Sequence, residues 1–498
     1  MFLIYALILI CAWTYYFYKK SFTYWHVKGI PYIKPSIPFG NLEYPWKSIP
    51  PIVQYAKYYK IFKDRGEKHG GTYLLTRPAY IPVDPEYVRN ILIRDYHYFD
   101  SRGIYYNERV QPISSNLFTL DGDKWKSLRQ KLSPTFSTGK MKMMFETMMK
   151  CTEPLHDRMK RVTANREAID VKDTLCRFTT DVIGSCAFGI ECNSFESLNT
   201  EFAKYGNMIS DKSISTFIKT MFAFNFQDFS RKIGIVLMKQ EASDFFTNLA
   251  MDTYNQRVRN NIYRDDFMQF LIELTEKKVN LQENIKVLSM DELVAQIFIF
   301  FAAGFDTSSS MLTFCLFELA VNTDLQDRLR KEIRSVLEKY NGEITYESLA
   351  DMKYMEQVMN ETMRKYPLGG FLPRTCTENY KIPGTNTVID KGTQVFISVL
   401  GLHRDPEFYP DPDKFDPERF SNENKGKIVP GTFLPFGDGP RICIGLRFGL
   451  MQAKTCLIRL LKDFEFSLNS RTKVPLELTF GFVTNLKESV WLNSRRVK

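Results

Sequence analysis

The sequence predicts one large domain with long helical stretches behind an apolar N-terminal segment. Three observations carry this. Residues 123–136, 290–320 and 353–367 each read as helices, the second long and strongly apolar. No Gly/Ser linker, repeat or low-complexity tract interrupts the chain after residue 50. Finally, 44% of the 498 residues are apolar, enough for a substantial core. Length alone allows about three domains of ~150 residues, but nothing in the composition marks a boundary between them.

The first element is "FLIYALILICAWTYYFY" (2–18), uncharged and followed at once by two lysines. Seventeen residues at the helical rise give about 26 Å, close to the hydrocarbon core of a bilayer. A cleavable signal would want basic residues first and a small-residue cleavage site after it, and neither is clear. The run is apolar all round rather than on one stripe, which argues against an amphipathic helix buried in the domain. Residues 1–42 hold four lysines and no acid, all four after the apolar run. The expectation is a retained single-pass anchor over 1–20 with the rest of the chain cytosolic. Pro31, Pro35 and Pro38 then make 21–50 a stiff connector to a domain over 51–498. The sequon at Asn360 would stay unmodified in a cytosolic domain.

Several chemistries are excluded. Nine scattered cysteines do not form a disulfide framework, and the closest pair, Cys186 and Cys192, lacks zinc-finger spacing. C-x-x-C-H, GxGxxG and GxxxxGK[ST] are absent. Any metal on a cysteine must bring most of its own ligands, and redox equivalents must come from a partner.

Four constellations then stand out. In "PFGDGPRICIG" (435–445) Cys443 lies among Gly437, Gly439 and Gly445, two residues after Arg441. Taken singly this is a buried cysteine in a glycine-rich turn, or a thiolate against which something flat and bulky lies. The 290–320 helix is interrupted by Gly304, Asp306, Thr307 and three serines. Ala303 and Thr307 share a face, so the stretch is a solvated interior or a groove lined by a small side chain and a hydroxyl. Glu361 and Arg364 at i, i+3 are an ordinary surface pair, or with Arg419 a buried triad. Trp125 and Arg129, four apart, pack as an amphipathic face or offer two donors to an anionic carboxylate. Residues 124–142 hold six Lys/Arg and no acid, a basic patch suited to an acidic partner.

Together these stretches resemble the cytochrome P450 family over essentially the whole chain. "FGDGPRICIG" fits that family's F-x-x-G-x-R-x-C-x-G haem signature at Phe436, Gly439, Arg441, Cys443 and Gly445. "AGFDTS" (303–308), "ETMR" (361–364), "PERF" (417–420) and W-x-x-x-R (Trp125, Arg129) follow in the family's order and spacing. "FTTDVIGSCAFGIECNSF" (178–195) and "DDFMQFL" (265–271) further resemble the insect microsomal members of family 6. The resemblance sets aside the bland readings of 303–307, 361–364 and 443.

What the resemblance implies is specific. The fold is mainly α with small β-sheets, an α+β arrangement that holds haem b (iron protoporphyrin IX) between a long distal helix and a proximal cysteine loop. Cys443 is the thiolate ligand of the iron, Phe436 packs beside the sulfur, and Gly445 is part of the same loop. Trp125, Arg129, Arg374 and Arg441 hold the haem propionates. Ala303, Gly304, Asp306 and Thr307 form the oxygen groove, with Asp306 and Thr307 gating protons, while Glu361, Arg364 and Arg419 form a structural triad. The activity is insertion of one oxygen atom from O2 into small lipophilic molecules such as plant compounds or insecticides. Electrons come from NADPH through NADPH–cytochrome P450 reductase, whose acidic domain docks on 124–142, with cytochrome b5 as a further donor. The site is the endoplasmic reticulum membrane, and no nucleic acid partner is expected. Phe118, Phe222, Phe224, Phe301 and Phe482 are candidates for pocket lining or for ordinary core. Two rival readings remain at this level. One is a haem-thiolate isomerase or dehydratase acting on peroxides, a class that tends to depart from the acid–threonine pair kept here. The other is a non-catalytic haem carrier or sensor, which needs neither the groove nor the basic face.

Overall fold

Strands His69–Leu74 and Arg77–Pro82 pair antiparallel around the two-residue turn Leu75–Thr76, with Leu75 in the left-handed region at φ 55°. The second strand pairs in parallel with Gln394–Ser398, which pairs antiparallel with Phe371–Thr375, giving a four-stranded sheet. This sheet belongs to the first of two compact units, made of residues 1–104, 369–413 and 427–442; the second comprises 105–368, 414–426 and 443–498. The computed structural model describes residues 2–43, 49–196, 201–209, 213–276, 288–479 and 483–497.

In the first unit, helix Phe2–Ser21 ends on Lys19 and Lys20 and leaves Ile4, Leu9 and Trp13 exposed. The proline-rich stretch after it is built into the sheet's core. Trp25 is fully buried, and its indole N–H donates to the Thr72 carbonyl at 2.8 Å. A Cβ on Gly71 would sit 2.4 Å from that indole, so glycine is what lets the ring lie on the strand. The Ile33 N–H bonds the Gly71 carbonyl, and Asn41 Oδ1 accepts from the Tyr73 N–H, so the segment continues along the same strand.

The second unit is organised by helix Met290–Val321, which starts at a capping box between Ser289 and Glu292. It is long and apolar enough to cross a membrane, yet Leu293–Phe298 and Ser308–Ala320 are buried inside the protein, which makes it a core helix. Between the two buried stretches the helix opens: apart from Phe301 the turns around 299–307 are not buried, and Ala303 is exposed. Helices Val171–Ile183, Lys353–Lys365 and Leu446–Asp463 pack against it. A three-stranded sheet of this unit pairs Trp491–Arg496 with Ile169–Asp170 and Phe464–Leu468, and a two-stranded one pairs Leu478–Thr479 with Asn485–Leu486. The expected helix over 123–136 is Gly122–Leu132 followed by a 3-10 turn, Ser133–Phe136. Pro134 explains the break: it has no N–H to donate back into the preceding turn, although Ser133 itself keeps α geometry at φ −57° and ψ −37°.

Candidate functional site

Cys443 is exposed and lies two residues before Gly445, the N-cap of helix Leu446–Asp463. The unsatisfied amides of a helix N-terminus favour negative charge, so a thiolate is electrostatically at home there. Arg129, half-buried on helix Gly122–Leu132, is within electrostatic reach of that sulfur. Burial pushes its guanidinium below the ordinary arginine value, and the Cys443 sulfur pulls it back up. One turn earlier Trp125 is buried in a cluster with Ile113, Leu117 and Leu128, against which Ile444 and Phe448 also pack. That apolar cluster ties the cysteine segment to the helix that presents Arg129. Gly445 has φ −87°, and a Cβ there would meet only the Phe136 ring, at 3.9 Å. Neither backbone geometry nor crowding within the unit demands glycine at that position.

On the long helix the Thr307 hydroxyl donates to the Ala303 carbonyl at 2.5 Å, one turn back, beside the exposed Ala303 side chain. Gly304 answers to a different constraint, because a Cβ on it would lie 2.3 Å from Ile183 Cδ1. Its role in the fold is close approach of helices Met290–Val321 and Val171–Ile183. Asp306 is held from two sides: Lys172 Nζ is 2.9 Å from Oδ1, and Asn485 Nδ2 is 3.0 Å from Oδ1 and 3.1 Å from Oδ2. Neither partner was singled out in the sequence. For Lys172 a signal existed, since a cation in the first turn of a helix opposes the macrodipole and needs a local reason.

Deeper in the same unit Glu361 and Arg364 are fully buried and paired through two parallel bonds of 2.7 and 2.8 Å. The Asp416 N–H donates to Glu361 Oε1 at 2.9 Å, and Arg419 Nε lies 3.5 Å from the same oxygen. The triad anticipated from "ETMR" and "PERF" is therefore assembled. Burial raises the Glu361 carboxyl above its ordinary value, and Arg364 opposes that shift.

In the first unit Gly439 has φ 68°, and a Cβ there would come within 1.9 Å of the Leu92 carbonyl oxygen, so the turn into Arg441 requires glycine. Arg441 is buried, its Nε donating to the Asp100 carbonyl at 2.7 Å, while Arg102 donates to the Arg441 carbonyl at 3.1 Å. Phe436 is half-buried. Arg374, on strand Phe371–Thr375, is only 4% exposed and donates to its neighbour's carbonyl, Pro373, at 2.8 Å. Among the described residues no carboxylate pairs with it. Burial, then repulsion from Arg102, pushes its guanidinium down to about 9. A buried cation of this kind is stabilised by an incoming anion.

The remaining expectations divide. Phe301 is fully buried, with its ring 4.9 Å from that of Phe246, and is core. Phe118 and Phe224 are half-buried, Phe222 is exposed, and Phe482 lies outside the described residues. The basic stretch is smaller than its sequence suggests. Lys131 is buried, Lys124 pairs with Glu108, and Lys142 pairs with Glu347.

The family model "Cytochrome P450" matches residues 44–492. Cytochrome P450 6a2 of Drosophila melanogaster is 41% identical, covering 99% of both chains. Cytochrome P450 6k1 of Blattella germanica is 40% identical over 93% of this chain and 91% of its own. Cytochrome P450 6A1 of Musca domestica is 38% identical over 100% of this chain and 98% of its own. The residues described above suit the family's haem. Each of the two units supplies buried or half-buried guanidinium groups suited to carboxylates, and the second also supplies an exposed thiol at a helix N-terminus and an open turn in a buried helix. This chain belongs to the cytochrome P450 family and is a haem-binding monooxygenase that takes O2, an organic substrate and electrons from a reductase-type partner.

Proposed function

We propose that this protein is a membrane-bound monooxygenase of lipophilic foreign compounds in which Cys443 is the thiolate ligand of haem iron. The observation that carries the reading is the exposed Cys443 at the N-terminal end of helix Leu446–Asp463, within electrostatic reach of Arg129. Haem, when bound, supplies the activation of O2 and the transfer of one oxygen atom to substrate.

The chain's own residues then have separate tasks. Arg129, Arg374 and Arg441, with the Trp125 indole, hold the propionates by charge-assisted bonds, which relieves the cost of burying Arg374 without a carboxylate. Phe436, Gly439 and Gly445 shape the loop around the sulfur, so that backbone N–H groups set its basicity. Ala303 keeps the open turn of the long helix free of bulk, and Gly304 beside it lets the helix bearing Ile183 close against that turn. The Thr307 proton is committed to Ala303, so the Thr307 oxygen faces the open turn as an acceptor and orders whatever proton donor enters. Asp306 is the adjacent carboxylate through which protons reach that turn.

Residues 1–20 are a single-pass anchor in the endoplasmic reticulum membrane, a role supported by the exposed apolar side chains of helix Phe2–Ser21 and the lysines that end it. The domain over 51–498 lies on the cytosolic side and receives electrons from NADPH–cytochrome P450 reductase, with cytochrome b5 as a second donor. Exposed Lys126, whose Asp123 contact is long at 3.9 Å, and half-buried Lys140 are the part of the basic stretch left to meet such partners. Substrates are small lipophilic plant compounds or insecticides, the class expected from family 6.

Cys443→Ser exchanges a soft thiolate for a hydroxyl of much higher pKa. The carbon monoxide difference spectrum of reduced protein should lose its red-shifted band, and a variant that keeps the band refutes the ligand assignment.

A further inference from the structure

We propose that Lys172 and Asn485 are positioning residues for oxygen activation, forming a clasp that fixes the Asp306 carboxylate beside the open turn of the long helix. The proposal rests on the monooxygenase reading above and adds to it two residues that no motif marks.

The geometry is closed on both sides of the carboxylate. Lys172 is the second residue of helix Val171–Ile183, with its side chain 18% exposed, and reaches across to the long helix. Its ammonium donates to Asp306 Oδ1 at 2.9 Å, Ser309 Oγ at 3.0 Å and Ser310 Oγ at 2.6 Å. An ammonium has three protons, so all of them are spent on one turn of one helix. A lysine in a first helical turn opposes the macrodipole, and the Asp306 charge supplies the compensation. From the other side Asn485, on strand Asn485–Leu486, donates to both carboxylate oxygens. Thr484, the preceding residue, is pinned by its N–H to the Leu368 carbonyl at 2.8 Å and by its hydroxyl to the Pro367 carbonyl at 2.5 Å. Asn485 is thereby presented from a fixed backbone.

The consequence is that Asp306 does not choose its own rotamer. Two donors on different elements hold it in place next to Thr307, whose hydroxyl proton is turned into its own helix. Proton delivery to the open turn then depends on a carboxylate that stays anchored between transfers, and loosening the clasp misplaces it. The expected signature is loss of coupling between NADPH consumption and product, with substrate binding spared.

The test uses the full-length protein in membranes with its reductase and compares wild type, Lys172→Met, Lys172→Arg, Asp306→Asn and the double variant K172M/D306N. Lys172→Met should lower product per NADPH roughly tenfold, a part of what a positioned proton-transfer group contributes, while hydrogen peroxide rises and KM holds. Lys172→Arg should restore most of the ratio. In the Asp306→Asn background Lys172→Met should change nothing further, because the lysine acts through that carboxylate. Thermal unfolding midpoints, read by circular dichroism without turnover, should show the same non-additivity. Additive effects on both readouts, or an unchanged product ratio in Lys172→Met, overturn the proposal while the thiolate band of the carbon monoxide spectrum stays intact. A wild-type protein lacking that band overturns the Cys443 reading, and the proposal with it. Should Lys172→Met not fold, Asn485→Ala enters the same cycle, and additivity with Asp306→Asn there has the same meaning.

Discussion

The Thr307 hydroxyl donates to the Ala303 carbonyl, 2.5 Å away, in the middle stretch of the long helix, 299–307, where the side chains other than Phe301 are not buried. With its proton committed, the Thr307 oxygen can only accept from a group in the open turn. Thr307→Ala removes that acceptor, and alanine is the better helix former, so folding and haem content should survive. NADPH consumption should continue while product falls and hydrogen peroxide rises. Thr307→Ser keeps the hydroxyl and should stay close to wild type. An unchanged product-to-NADPH ratio in Thr307→Ala would leave the residue only the smaller role of shaping its helix.

The pairing of Glu361 with Arg364 is fully buried and bidentate, which makes its two halves inseparable. Arg364→Met leaves the Glu361 carboxylate without its main partner, at a cost of roughly 3–5 kcal/mol. The thermal midpoint should drop sharply, and haem content per polypeptide should fall with it. Arg364→Lys should fail almost as badly, because an ammonium cannot form two parallel bonds to one carboxylate. A variant of either kind with a wild-type midpoint would show that the pair contributes nothing to the fold.

These two sites differ in how far they were legible. "ETMR" and "PERF" fix residue types that can do little else once buried, and Glu361, Arg364 and Arg419 meet as anticipated. The small-residue turn at 303–307 was visible because hydroxyls and a carboxylate break an apolar run. Lys172 and Asn485 were not found, since their meaning comes from a contact across more than a hundred residues that no local spacing encodes. Gly304 was read for a groove, whereas its neighbour Ile183 lies on another helix and is invisible to periodicity. The basic stretch misled in the opposite sense. Charge is countable in sequence, but the acids that neutralise Lys124 and Lys142, Glu108 and Glu347, come from elsewhere in the chain.

The lysines of that stretch should therefore separate by experiment. Lys126→Gln with Lys140→Gln removes surface charge and should slow reductase association by up to about tenfold at low ionic strength, with the difference vanishing in high salt. Turnover driven by added peroxide, which needs no reductase, should be unchanged. Lys131→Gln alters a buried side chain and should lower the thermal midpoint instead, in both assays alike. Equal salt sensitivity for Lys131→Gln and the surface pair would contradict this division.

His156, on helix Thr138–Ala164, supplies a pH dependence with a definite sign. Its Nε2 lies 2.8 Å from Asp463 Oδ2, a contact that would favour the imidazolium. Burial and the positive charge of Arg459, assisted by Lys160, outweigh Asp463 and hold its pKa below the ordinary histidine value. The hydrogen bonds agree: Nδ1 is buried with no partner among the described residues, so protonation would place an N–H where nothing accepts it. In the unfolded chain His156 takes up its proton near pH 6.5, whereas the folded protein resists it to lower pH. The unfolded state therefore binds more protons between those two values, and stability falls as the pH drops through that window. On going from about pH 7.5 to about pH 5.5, the thermal midpoint of wild type should fall further than that of His156→Gln, which keeps a donor for Asp463 and does not titrate. The measurement is the unfolding midpoint by circular dichroism at the two pH values. Parallel declines in the two proteins would assign the acid sensitivity to other groups, and a wild type that gained stability on acidification would mean that Asp463 wins over burial.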